Sequence, residues 1–413
     1  MRLTGRALVV AMCAGQAGNL LPHVAVPAVM AQHLVPAWGL SATEAGLMAS
    51  AFAIGYVLAV PILTGLTDRI DARLVLLAGS ALCGAATFAF GLFAHGLWSA
   101  LAIWAVAGVG FAGAYMPGLK ALVDRLPPGD ASRSITLYTA TYSIGVGLSF
   151  LVAQVAADGL GWRFAFYITA LGPLAMVAAC LCMAPVAPVR STRRLLDFKP
   201  VFRNRAAMGF ILGYGAHCFE LYALRTWIVA FWTFVAARSG GAALLQPIAV
   251  SVITALLAMP SSIMGNEAAI RFGRHRAIML FMGLAGVMAL LIGATAGFAA
   301  PALLLALLFV YAIAIPADSG ALTSGMTLSA EPEYRGATMA MHSTVGFGLS
   351  AVGAWALGVA LDAGGGMQSA AGWRIAFAVM AAGGLMGPLA LWWSRRQSKI
   401  VSDRSAKPFD RGT

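Results

Sequence analysis

Apolar residues run through this chain in long blocks rather than in the one-sided stripes of a soluble helix. A helix that crosses a membrane needs about 20 mostly apolar residues. Twelve blocks meet that length: 7–33, 44–66, 73–94, 98–122, 134–157, 162–185, 206–236, 243–268, 276–298, 301–328, 336–361 and 373–394. Connections between them are short except at 186–205, so the pattern predicts an all-α membrane protein with 12 transmembrane helices. Arg2 and Arg6 precede the first block as they would in a signal peptide, but the apolar run outlasts the roughly 7–15 residues of such a core and carries Gln16, Asn19 and His23. It reads as helix one.

Composition agrees, with 60% hydrophobic and only 10% charged residues among 413, a balance foreign to soluble domains. The net charge of +12 lies in short clusters between the blocks, so it carries topology and does not form a nucleic-acid footprint. With both termini cytoplasmic, 22 of the 27 Lys and Arg fall on inner segments, Arg163, Arg238 and Arg374 fall outside, and Lys120 and Arg225 lie within the membrane. The five cysteines sit inside apolar blocks without metal-ligand spacing and read as packing residues. No metal, cofactor or disulfide framework is expected, and no nucleophile–base pair, phosphate loop or zinc motif suggests a membrane enzyme.

Landmarks recur at a fixed offset. Arg69 and Arg271 are 202 residues apart, as are Arg133 and Arg335, while GWRFAF at Gly161 and GWRIAF at Gly372 are 211 apart. A longer outer loop beginning at Leu361 accounts for the difference. The chain thus divides into a six-helix bundle (1–185), a basic cytoplasmic linker (186–205), a second six-helix bundle (206–394) and a tail (395–413) expected to be disordered.

The densest chemistry lies in GYGAHCFELYALRTWIVAFW, residues 213–232, where His217, Glu220 and Arg225 interrupt an apolar block. At 100° per residue they span an arc of about 140° on one helix face. Ionisable groups at that depth are costly, which leaves two readings: an ion pair that joins helices, or a substrate or proton site. Ser41 and Glu44 have capping-box spacing at the start of the second block and need no further role.

These features resemble the major facilitator superfamily from about residue 7 to 394. Its signature loop is similar to TGLTDRIDAR, which keeps Asp68, Arg69 and Arg73 but has Thr64 and Asp71 at glycine positions. A second copy, GNEAAIRFGRHR, keeps Arg271, Gly273 and Arg274, with Ile270 in place of the acid. The resemblance implies that the first copy is a cytoplasmic latch, with Lys120, Arg133, Arg271 and Arg335 as further gating residues. The fifth block, TATYSIGVGLSFLVAQ, lacks the Gly-Pro motif of the family's drug/proton antiporters. ADSGALTSG at Ala317, together with the His217–Arg225 block, is similar to a bacterial group transporting cyanate and nitroimidazole-like solutes.

In that family helices one, four, seven and ten line a central cavity between the halves. Gln16, Asn19 and His23, spaced i, i+3 and i+7, are then substrate candidates on helix one, and His23 is symmetry-related to Arg225, 202 residues on. Tyr115, His217, Arg225 and Ser319 join them, with Tyr138, Tyr142 and His342 as secondary candidates. Glu220 is the expected proton carrier, through competition with substrate for Arg225, and Asp318 is the alternative. Lys120 either pairs with Asp318 or snorkels to the inner interface. The resemblance implies a secondary transporter working by alternating access, expected to be a monomeric, proton-coupled symporter in a bacterial inner membrane, and the mixture of Arg225, His23, His217 and Lys120 against Glu220 and Asp318 leans toward a small polar or anionic solute. An exporter of amphiphilic or drug-like compounds and a non-transporting receptor are the alternatives.

Overall fold

The computed structural model describes residues 3–126, 131–188, 198–241, 244–331 and 334–405, and the side chains of 131–133, 136 and 396–405 stand outside that description. The described residues are helical apart from turns and one β-bridge, Leu3 with Met183. Eleven helical units are long and apolar enough to cross a membrane. These are α2 (Ala42–Leu66), α3 (Ala72–Phe93), α4 (Leu97–Val123), α5 (Ala131–Leu160), α6 (Trp162–Cys182), α7 (Arg205–Arg238), α8 (Pro247–Phe272), α9 (Arg274–Thr295), α10 (Pro301–Ser329), α11 (Arg335–Ala363) and α12 (Ala370–Ser405).

The first expected span is present in broken form as α1, helical over Gly5–Asn19, irregular over 20–24, and helical again over Ala25–Val29, Met30–Leu34 (a π-helical turn) and Val35–Trp38. Counting it completes a 12-helix arrangement. Two further spans are interrupted: α6, where Trp162–Thr169 gives way to a turn over 170–172 before Pro173–Cys182, and α10, where Pro301–Ala314 gives way to a 3₁₀ turn, Pro316–Asp318, before Ser319–Ser329. Proline cannot donate the helical hydrogen bond at its own position. In α10 the break is also packed in place, because a Cβ on Gly265 of α8 would overlap the Ala317 carbonyl oxygen.

Helix starts follow local chemistry. The capping box at α2 is complete, with Ser41 N–H donating to Glu44 Oε2 at 2.9 Å and Glu44 N–H donating to Ser41 Oγ at 3.2 Å. Asn204 caps α7 by accepting from Ala207 N–H at 3.0 Å. At the other end of the chain, α12 runs on to Ser405, past the boundary expected at 394. No Gly or Pro interrupts 389–405, and the residues there are mostly tolerant of helix.

The two halves meet along α2 with α11 and α5 with α8, while α7 packs within its own half on α11 and α12. Among the spans α7 is the most buried. Large apolar side chains such as Trp98, Leu58 and Phe298 remain on the outside, as expected of a lipid-facing surface. The molecule is an integral multi-pass membrane protein.

Candidate functional site

A cavity of about 530 Å³ opens between the halves on the face where Phe198, at the end of the linker, lines it. Asp68, Arg69 and Lys120 line it, alongside apolar side chains such as Val60, Met116 and Leu119. Lys120 Nζ donates to Asp124 at 2.9 Å and is not paired with Asp318. Arg271 and Arg335 are exposed on the same face, and the Arg133 side chain lies outside the described residues. Arg73 Nη1 donates to the Met183 carbonyl at 3.0 Å.

The bonded acid of the signature loop is Asp71, at the position read from sequence as a departure from the pattern. Arg125 Nη2 donates to both its oxygens at 2.8 Å, and the N–H groups of Arg73 and Val186 donate at 2.9 Å each. Burial works against its charge, but these donors outweigh it and hold the carboxyl below its ordinary value. Asp71 therefore ties the α2–α3 turn to the end of α4 and the start of the linker.

One helical turn beyond Val60 and Ser343, the deep lining residues of the cavity, an aromatic layer closes it off. Tyr56 of α2 stacks on Phe347 of α11 across the halves, with ring centroids 4.0 Å apart. His23, in the break of α1, has Phe52, Phe111, Tyr142 and Tyr222 around its ring. Its Nε2 lies 2.9 Å from the Tyr142 hydroxyl, which in turn hydrogen-bonds the Tyr222 hydroxyl from the other half, while His23 Nδ1 has no partner among the described residues. Tyr115 packs edge-on against Tyr142.

Arg225 belongs to this layer. Its guanidinium lies 5.7 Å from the Tyr142 ring centroid and 5.3 Å from that of Tyr222, and it is 8% exposed. Among the described residues no carboxylate comes within ion-pair distance of it. His23 and Arg225, equivalent in the repeat, thus meet in one cluster, joined by Tyr115, an expected substrate residue, by Tyr142, a secondary candidate, and by Tyr222, which the sequence does not single out. Tyr222 was legible only as one more aromatic in an apolar block.

Glu220 turns elsewhere. Its Oε1 accepts from Tyr311 of α10 at 2.8 Å, and a Cβ on Gly384 of α12 would overlap its carboxyl. The exchange with Arg225 expected from sequence has no ion pair behind it in this conformation. One turn earlier on α7, His217 Nδ1 lies 2.7 Å from Asp318 Oδ1, both side chains being almost fully buried. The distance is that of an ion pair, and neither atom has another partner among the described residues. Ser319 Oγ lies 2.8 Å from Ser262 Oγ of α8.

Gln16 and Asn19 face the interior of the first half and not the cavity. Gln16 Oε1 accepts from Tyr138 at 2.8 Å and Asn19 Nδ2 donates to Ser80 at 3.1 Å, each residue fully buried. On the face opposite the cavity, Asp362 at the end of α11 caps the start of α2 across the halves. It accepts from Ala42 N–H at 3.0 Å, Thr43 N–H at 2.7 Å and Thr43 Oγ1 at 2.6 Å. Ser50 Oγ donates to the Ala351 carbonyl at 2.7 Å two turns deeper, and Gln32 reaches Thr233 at 3.0 Å. The molecule is closed on this face and open on the other. Sequence reading assigned Asp362 to an outer loop and missed its role as a cap, because the helix it caps lies some 320 residues away.

Comparison with known proteins follows the same line. The chain matches the sequence model of the Major Facilitator Superfamily over residues 8–354. It is 28% identical over 142 residues, 34% of its length, to the "Probable sphingolipid transporter spinster homolog 1" of Arabidopsis thaliana, and the match spans only 29% of that relative. The crystal structure of a bacterial homolog to the human lysosomal transporter Spinster, inward-facing and unoccupied, superposes with a TM-score of 0.75 at 17% identity, covering 94% of this chain and 96% of that one. A structure of the nucleoside transporter NupG gives 0.72 at 15% identity, covering 94% and 99%. At those identities the structures speak for the fold alone.

Proposed function

This chain belongs to the major facilitator superfamily, and on that premise we propose that it is a secondary transporter that moves a small anionic or polar solute across a bilayer by alternating access, coupled to protons as a symporter. The observation that carries the reading is Arg225. A permanent cation, almost wholly buried between two tyrosine rings and without a carboxylate partner among the described residues, is costly to keep in a membrane interior. A bound oxyanion offsets that cost through charge-assisted hydrogen bonds. Arg225 and His23 belong to the aromatic layer that closes the cavity and do not line it in this conformation, so the substrate reaches them when that layer parts. Glu220 and Asp318 are the carboxyls available for proton coupling. The protein works as a monomer in a bacterial inner membrane, with its termini and cavity mouth on the cytoplasmic side.

The test is thermal stability of the purified protein against cyanate, nitrate, phosphate, acetate and benzoate, since a ligand that binds the folded state alone raises the melting temperature. At least one should stabilise the wild type, and Arg225→Lys should bind it at least tenfold more weakly, because an ammonium cannot reproduce the planar donor fork. Equal binding by a folded Arg225→Lys protein would return Arg225 to a structural role.

A second reading has its own observation. The cavity walls are largely apolar, with Lys120 and Arg69 near the mouth, which suits an amphiphilic anion with its tail against Val60, Met116 and Leu119. The spinster-type relatives point the same way. Uptake assays in proteoliposomes with a short-chain and a long-chain carboxylate separate the two substrates, and uptake of neither favours a non-transporting receptor.

A further inference from the structure

We infer that His217 and Asp318 form a single proton-binding unit, a carboxyl–imidazole pair built at the break in α10 and screened from the cavity by Tyr214 and His342. A role in transport rests on the transporter reading above; the pair itself stands on its geometry. The break is the first observation. Irregular backbone in a membrane interior persists where it is buried in protein or serves a site, and coupling ions in secondary transporters are held at such interrupted helices. Asp318 is the last residue of the 3₁₀ turn, fixed there by Pro316 before it and by Gly265 of α8 against the Ala317 carbonyl.

The second observation is the contact at 2.7 Å between His217 Nδ1 and Asp318 Oδ1, each without another partner among the described residues. A buried carboxylate beside a neutral imidazole carries a charge of −1 in a medium that solvates it poorly. Adding one proton makes the pair neutral overall, whichever group holds it, so the affinity belongs to the pair and not to either residue. When the surroundings become wet, the proton leaves the N–H or O–H for water and returns a carboxylate and a neutral imidazole.

The third observation is the ring stack that covers His217 and ends beside a residue of the cavity wall. Tyr214 stacks on His217 at 5.5 Å and on His342 of α11 at 3.8 Å. His342 Nε2 lies 3.4 Å from Thr323 Oγ1, its Nδ1 is without a partner among the described residues, and the adjacent Ser343 lines the cavity. A shift of Tyr214 between its two imidazole neighbours therefore admits cavity water to the pair. The other titratable groups near the pair are Cys218 on α7, whose thiol interacts with Tyr214 and Asp318, and Glu220, which interacts electrostatically with Asp318 and is already hydrogen-bonded by Tyr311 of α10. From α8 come neutral groups, Ser262 and Asn266, and the buried face of α9 carries no titratable residue.

The test follows the histidine directly. Full-length protein labelled with ¹⁵N-histidine in lipid nanodiscs is titrated, and the His217 signal is assigned with His217→Asn. Asp318→Asn should lower the His217 midpoint by at least one pH unit, a tenfold loss of proton affinity, whereas Glu220→Gln should move it much less. An unchanged midpoint in Asp318→Asn, or an equal shift in Glu220→Gln, overturns the pairing. For the anion that gives the largest thermal shift in the wild type, Asp318→Asn should lose pH-gradient-driven accumulation in proteoliposomes while keeping counterflow, which moves no net proton. Retained accumulation overturns the coupling role even if the pair titrates as one. A wild type without counterflow for any of the anions counts against the transporter reading, and the nuclear resonance readout then judges the pair alone.

Discussion

Glu220 and Arg225 show how far helical geometry carries at the scale of a residue. Residues five apart differ by about 140° around the axis, whereas side chains three or four apart are the ones that meet. One faces α10 and α12 and the other faces the tyrosines of α5 and α7, so a shared polar arc concealed two separate environments. The carboxyl of Glu220 occupies space left by Gly384, and that fit is testable. Gly384→Ala should destabilise the folded protein by about 1–3 kcal/mol, the usual cost of overfilling a packed interior, as measured by unfolding in detergent. Adding Glu220→Ala should recover most of the loss, since substitutions that share one space are not additive. Additive penalties would mean that the two positions do not share it.

Among elements, the informative contrast lies among the prolines. Pro61, Pro117, Pro260 and Pro388 sit inside unbroken helices, while Pro22, Pro173 and Pro316 lie in or at breaks. A proline removes one hydrogen bond wherever it falls, so neighbours decide whether the helix kinks or opens. That is why α1, α6 and α10 read as continuous apolar blocks and fold as interrupted ones. The junction of α2 and α11 makes a prediction at the same scale. Asp362 places a carboxylate on the positive end of α2, an interaction of a few tenths to about 2 kcal/mol, and the opposite face cannot open without losing it. Asp362→Asn should populate the state open on that face. With Cys13 and Cys182 replaced by serine, a cysteine introduced by Ser50→Cys should react with an impermeant maleimide roughly five- to tenfold faster in Asp362→Asn, which corresponds to about 1–1.4 kcal/mol. An unchanged labelling rate would remove Asp362 from the closure.

For the whole molecule, the asymmetry of Lys and Arg fixes the expected orientation. A reporter active only in the cytoplasm should work when fused at either terminus or inserted in 186–205, and one active only outside should work near Arg238. An external linker would invert the topology. The cavity mouth shares its face with the linker, so the same experiment assigns the side to which this conformation is open.

Sequence alone determined the membrane-spanning class, the number and order of the spans, the twofold repeat and the family resemblance. Each of these depends on local composition or on spacing along one chain, and twenty apolar residues cross a bilayer whatever surrounds them. It also picked out His217, Glu220, Arg225 and Asp318, because ionisable groups stand out against an apolar background. Partner choice was decided only by tertiary structure. His217 meets Asp318 about a hundred residues away, Glu220 meets Tyr311 and Gly384, Asp71 rather than Asp68 receives Arg125, and Asp362 caps a helix of the other half. Such contacts depend on the rotation and depth of each helix against its neighbours. Those are set by interlocking side chains and close backbone approach between helices, quantities that no single segment contains.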